Sequence, residues 1–146
     1  MSREYAEDIM VSYSDLKKIQ KAQKYMYRAG VHGYSDGQLA NLLGSCSTIL
    51  GLAFVNSTPV GVAAGIVGLL SILGSGSDKD TIINWMLVGY LEIGDMMDFL
   101  DENPRYDRLV IKFPFFEFTQ NGNTVRIITG RGVIQKAHTG HGWDIV

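Results

Sequence analysis

The chain has 146 residues, 46% of them hydrophobic, with 13 Lys and Arg against 15 Asp and Glu and a formal net charge of −2, which fits one domain over 1–146. The charge is uneven: residues 1–36 sum to +1, 78–107 to −6 and 108–146 to +3, while 37–77 hold no Asp, Glu, Lys, Arg or His, and no block has the basic face that a nucleic-acid partner requires. Cys46 is the only cysteine, which excludes an internal disulfide and a Cys-based metal cluster, and the polar first 30 residues do not form a secretory signal peptide.

Residues 1–36 are read as an amphipathic helix and a loop. Ile9, Tyr13, Leu16, Ile19, Gln23, Met26 and Tyr27 recur at helical spacing and predict a helix over 3–29. Ser12 and Ser14-Asp15 offer a second N-cap within it, and so a break. Lys17, Lys18, Lys21 and Lys24 gather toward its end, where they complement the helix dipole and present a cationic face suited to anionic lipid headgroups.

Residues 37–77 are read as an apolar helical hairpin. An ordinary surface helix carries charge on its outer face, so a charge-free one belongs in lipid, in a subunit interface or in a well-wrapped core. Arms over 38–55 and 60–73 would be about 27 and 21 Å long, joined at Asn56-Ser57-Thr58-Pro59, where Ser57 or Thr58 caps the second arm and Pro59 fits its first turn. Gly44 and Gly51 decorate the first arm. In the second, Gly61/Gly65 and Ala64/Gly68 form overlapping small-xxx-small pairs, which predict a close helix–helix seam and a self-association or membrane face. Gly74 and Gly76 make a hinge after the hairpin.

Residues 78–103 predict a helix from Thr81 to about Asp101, capped by Ser77 or Asp80. Its face is Ile83, Met86, Leu87, Tyr90, Ile93, Met97 and Leu100, and its second half bears a solvated acidic surface. Residues 104–146 are read as a β-rich tail. Asn121-Gly122 is a strong two-residue hairpin signal, and counting back from it pairs Phe118 with Val125 and Glu117 with Arg126. That register puts opposite charges on one face and large hydrophobes on the other. Val133-Ile134 suggests a third strand.

Candidate chemistry is sparse. His138, His141, Trp143 and Asp144 are the one constellation resembling a metal or acid–base site, and their Gly-rich setting reads as a surface turn. No triad, paired-carboxylate cleft or dinucleotide fingerprint is present, so the chain is not expected to be an enzyme and no cofactor, metal or small-molecule substrate is expected. The charge-free hairpin resembles the inserting element of pore-forming bacteriocins and translocation domains, and the Gly61/Gly65/Gly68 spacing is similar to the glycine zippers of membrane-depolarising bacterial toxins. That resemblance covers 37–77 alone. Two amphipathic helices and a small β unit also offer little to wrap such a hairpin, so uncovered apolar patches are expected.

The expectation is therefore an α+β protein: amphipathic helices around a central apolar helical hairpin, followed by a C-terminal antiparallel β-hairpin or small sheet. Its expected partner is a lipid bilayer or a second copy of itself, and its expected function is membrane-active, in the manner of a pore-forming toxin or bacteriocin. The alternative is a soluble self-assembling subunit with the hairpin in an interface. Synthesis without a signal peptide implies a cytoplasmic origin, followed by membrane association or release.

Overall fold

The structure, a computed structural model, covers Met1–Val146. Strand β1 (Ser2–Ser12) leads into helix α1 (Tyr13–His32). Helix α2 (Asp36–Leu43), a 3-10 segment (Gly44–Ile49) and a short helix α3 (Leu50–Phe54) follow, then helices α4 (Pro59–Leu73) and α5 (Ser77–Glu102). Strands β2 (Arg108–Gln120), β3 (Asn123–Ile128), β4 (Val133–Thr139) and β5 (Gly142–Asp144) complete an α+β fold with one antiparallel five-stranded sheet.

Strand β2 is the axis of that sheet. One edge pairs with β1 over its length, from Ser2 opposite Phe118 to Ser12 opposite Arg108. The other edge is shared by β3, which takes Phe115–Gln120, and β4, which takes Arg108–Lys112. Strand β5 extends β4. The tail therefore contains the Val133-Ile134 strand, and His138 and Trp143 face each other across β4 and β5 instead of lying in a surface turn.

The N-terminal helix over 3–29 is corrected. Residues 2–12 form a strand because their partner is β2, far away in the chain, and only Ile9 and Val11 of the segment are buried. The break at Ser12 falls where the sequence offers it. Ser12 Oγ accepts from Asp15 N at 3.1 Å, and the Asp15 carboxylate accepts from Ser12 N at 3.0 Å, a reciprocal capping box that starts α1.

A continuous first arm over 38–55 is also corrected. After α2 the backbone tightens into the 3-10 segment, where a serine hydroxyl competes with helical bonding. Ser45 Oγ donates to Leu42 O at 3.2 Å. The second arm starts as expected: Thr58 Oγ1 accepts from Gly61 N at 3.0 Å and Pro59 occupies the first turn. Helix α5, by contrast, begins at Gly76 without a side-chain cap, so neither Ser77 nor Asp80 plays that part.

The β2–β3 register is the one counted from Asn121-Gly122: Phe118 faces Val125 and Glu117 faces Arg126. Both turn residues have positive φ, as a primed turn requires. The division into a charged and an apolar face is not kept, because Val125, Arg126, Ile127 and Ile128 are all buried. Strand β3 is enclosed by helices on both faces. Its Ile128 takes a side-chain partner in place of a neighbouring strand: Gln23 of α1 accepts from Ile128 N at 3.2 Å and donates to Ile128 O.

That enclosure explains how one chain wraps much of the apolar segment. One hydrophobic cluster takes residues from β1 through β4. The accessible surface is 7260 Å², against roughly 7,400 Å² expected for a monomer of this mass. The covering comes from α1, α5, β2 and β3, that is, from the two amphipathic helices and the β unit named in the sequence, while Leu52, Val55, Val60 and Ile72 stay exposed on the segment.

Candidate functional site: the charge-free segment

The segment 37–77 is a layer with two different sides. Its interior side is apolar: Leu39, Leu43, Ile49, Leu50, Phe54, Val62, Ile66 and Leu69 are buried. Its solvent side presents Gln38, Asn41, Ser45, Ser47, Thr48, Ser57, Thr58 and Ser71, together with exposed Leu52, Val55, Val60 and Ile72. No Asp, Glu, Lys, Arg or His lies on either side. Asp36–Phe54, at 19 residues, has the length and composition to cross a bilayer, a test that a buried helix of a soluble fold also passes, whereas Pro59–Leu73 is shorter.

The candidate glycines are placed differently from the expected seam. A Cβ at Gly65 would lie 2.4 Å from Val125 Cγ1, and one at Gly68 would lie 3.0 Å from Gln120 Oε1. Gly61 approaches the Asn56 side chain, and Ala64 is exposed. The face therefore packs on strands and on the interhelical turn, and the predicted helix–helix seam is corrected to a helix–sheet one. Gly51 abuts Ser57, and Gly44 has open space around it. The closest backbone approach in α5 is at Gly89, where a Cβ would lie 2.1 Å from Ile128 O; nothing in the helical spacing distinguished that glycine. Gly74 and Gly76 have φ of 66° and 124° and open surroundings, which suits a joint between α4 and α5.

The lysines of α1 lie beside this layer. Lys18 Nζ donates to Thr48 Oγ1 at 3.2 Å, while Lys17 and Lys21 are exposed. Lys21 and Lys24 sit 6.0 and 5.4 Å from the centre of the Tyr25 ring. None of the four makes a salt bridge. In the tail, His138 Nδ1 lies 2.7 Å from Asp107 Oδ1, and this bond holds the Asp107 carboxyl below its ordinary range. His141 sits in the exposed β4–β5 turn.

Residues outside the expected set fix the layer in place. Arg126 of β3, 4% exposed, donates through Nε to Ala53 O at 3.0 Å and through Nη2 to Leu52 O at 2.8 Å. Its Nη1 donates to Tyr5 Oη at 3.0 Å and to Glu7, and the guanidinium lies 3.8 Å from the centre of the Phe115 ring. Tyr5 in turn donates to Glu117 Oε1 at 2.7 Å, and Glu117 accepts from Arg3 Nε at 2.8 Å. The Arg3 hydrogen bond, reinforced by Tyr5, lowers the Glu117 carboxyl from its ordinary value. Burial is the largest influence on Tyr5 and raises its hydroxyl. A second tie joins the turn to β3: Asn56 Nδ2 donates to Asn123 Oδ1 at 2.8 Å, and Asn123 Nδ2 donates to Gly61 O at 3.0 Å. The signal for Arg126 is an Arg inside the apolar run Val125–Ile128, which the register pairs with Glu117 on the charged face.

In comparisons with protein-family profiles, curated proteins and solved structures, nothing matches this chain.

Proposed function

We propose that this protein is membrane-active: it carries the charge-free segment as a folded layer and delivers it to a bilayer, in the manner of a pore-forming toxin or bacteriocin. The observation that carries this reading is the absence of Asp, Glu, Lys, Arg and His from both the buried and the solvent sides of 37–77. Moving a charge to a bilayer centre costs about 2.5–3.5 kcal/mol on insertion scales, and this segment avoids that cost entirely. Gly74 and Gly76 supply the joint, and α2 with α4 supplies the inserting hairpin, Gly44, Gly51, Gly61, Ala64, Gly65 and Gly68 being the surface freed for lipid or self-contact. Lys17, Lys18, Lys21 and Lys24 would meet anionic headgroups, each gaining up to about 1 kcal/mol near the surface. On this reading the chain is not an enzyme, takes lipid or its own copies as partner, and moves from the cytoplasm to a membrane or is released.

Eight acids between residues 78 and 107 oppose entry of that region while ionised, and carboxylates protonate at about pH 4. Dye release from anionic vesicles should therefore strengthen between pH 7 and pH 4.5, and zwitterionic vesicles should leak less. Absence of both leakage and vesicle binding at either pH would reject the reading.

A second reading, a soluble self-assembling subunit, draws on charge. Lys17, Lys21, Lys24 and Arg28 on α1 make no salt bridge, nor do the α5 acids Glu92, Asp95, Asp98 and Glu102, which line a groove of about 420 Å³. A discrete oligomer without lipid that dissociates in salt would favour it.

A further inference from the structure

The turn after α3 is strained. Val55 has φ 74° and ψ −53°, and Asn56 N donates to Phe54 O at 2.9 Å, closing a positive-φ γ-turn on a β-branched residue. That conformation is rare and unfavourable, and it persists only where the surroundings over-determine it. The surroundings here are polar ties. Arg126 Nε and Nη2 fork onto Ala53 O and Leu52 O, carbonyls at the α3 C-terminus that have no helical donor. Asn56 and Asn123 hold the far side of the turn.

We propose that Arg126 and the Val55 turn form a latch: Arg126 holds the 3-10 segment, α3 and the turn closed over the core, and the strain at Val55 favours their release once Arg126 is disengaged. The guanidinium is buried and hydrogen-bonded to one carboxylate, Glu7 of β1, which is half exposed, while Glu117 stands opposite it on β2 and is itself tied to Arg3 and Tyr5. A buried cation that loses its counter-charge is strongly disfavoured in place, so Glu7 and Tyr5 set how firmly the latch is held. Opening is local, because the sheet pairings of β2 and the α1–α5 packing do not pass through α3. The latch rests on the membrane reading only for what the freed segment does afterwards.

Cys46 is the natural reporter. It is the sole thiol, it sits in the 3-10 segment, and it is fully buried. Thiol labelling of the folded protein without lipid, followed against urea, separates local opening, whose rate is flat at low urea, from global unfolding, whose rate rises throughout. Wild type should show a flat regime. Glu7→Gln should raise labelling in that regime at least tenfold, Arg126→Met should raise it further if it folds, and Val55→Gly should lower it. Trp85 emission, from the helix–sheet contact with Phe116, should stay unchanged in each. Labelling that follows global unfolding in wild type and in Glu7→Gln alike would overturn the latch, as would faster labelling in Val55→Gly. Vesicle leakage measured on the same proteins keeps the two proposals apart. Fast labelling of Glu7→Gln without leakage leaves the latch standing and removes the membrane reading; leakage with labelling only through global unfolding does the reverse.

Discussion

The two arms of the charge-free segment have the same kind of composition and are held by opposite means. Helix α4 runs unbroken from Pro59 to Leu73 and lies against β3 through a glycine, with Val125 filling the space where a Gly65 side chain would stand. The first arm is broken into α2, the 3-10 segment and α3, and its end is fixed by donors from Arg126 to two backbone carbonyls. Shape complementarity, with one amide bond from Asn123 to Gly61 O, secures one arm, and charge-assisted hydrogen bonding secures the end of the other. A charge-free stretch is thus not a uniform object: an apolar contact persists whatever the state of a carboxylate, whereas a guanidinium anchor depends on its counter-ion.

Substitutions can break either side of that contrast. The largest effect is expected at Arg126→Ala, which leaves the Leu52 and Ala53 carbonyls without their donor while half-exposed Glu7 turns to water; each buried acceptor left unsatisfied costs about 1–3 kcal/mol, read as a lowered urea midpoint. On the second arm, Gly65→Leu forces a side chain into Val125 and should cost about 1–3 kcal/mol. Ala64→Leu, one position away and facing solvent, should stay within about 0.5 kcal/mol. Equal losses at 64 and 65 would show that the helix–sheet contact is not the seam. Thr58→Ala removes the cap of α4 and should cost about 1 kcal/mol, with α2 and the 3-10 segment unaffected by hydrogen exchange.

A pH series sharpens the dependence of the anchor on charge. Glu117 lies in the chain from Arg3 through Tyr5 to Arg126, and its carboxyl is held below its ordinary 4.5 in the folded state by Arg3 first and Tyr5 next. Its contribution to stability is therefore complete above about pH 4.5 and is lost as pH falls through the lower folded value. Arg3→Ala should flatten the drop in urea midpoint between pH 5 and pH 3. An unchanged drop would remove Arg3 as its cause.

Local chemistry was legible in the sequence, and long-range pairing was not. The Asn121-Gly122 turn carried its register with it, and Thr58-Pro59 marked the start of α4, because both signals act within four residues. Strand β1 was read as helix because Ile9, Tyr13 and Leu16 satisfy a helical spacing, while the pairing that overrides it lies on β2. The small-residue spacing in α4 correctly marked a close-packed face, but a glycine stripe records only that something approaches, and here it is Val125 of a strand. Arg126 was legible as one half of a cross-strand pair with Glu117. Its use as an anchor depends on α3, which ends seventy-two positions earlier, and on Glu7 from the far end of the chain.

The central claim is that the charge-free segment leaves this fold for lipid, and Ala64 gives the most direct view of it. The position faces solvent in the middle of α4. An environment-sensitive fluorophore on Ala64→Cys, in a Cys46→Ala background, should shift to shorter wavelength when anionic vesicles are added at pH 4.5, and quenchers placed deep in the lipid should then dim it. An emission maximum that stays at its aqueous value, with bound protein confirmed by co-sedimentation, would contradict the account.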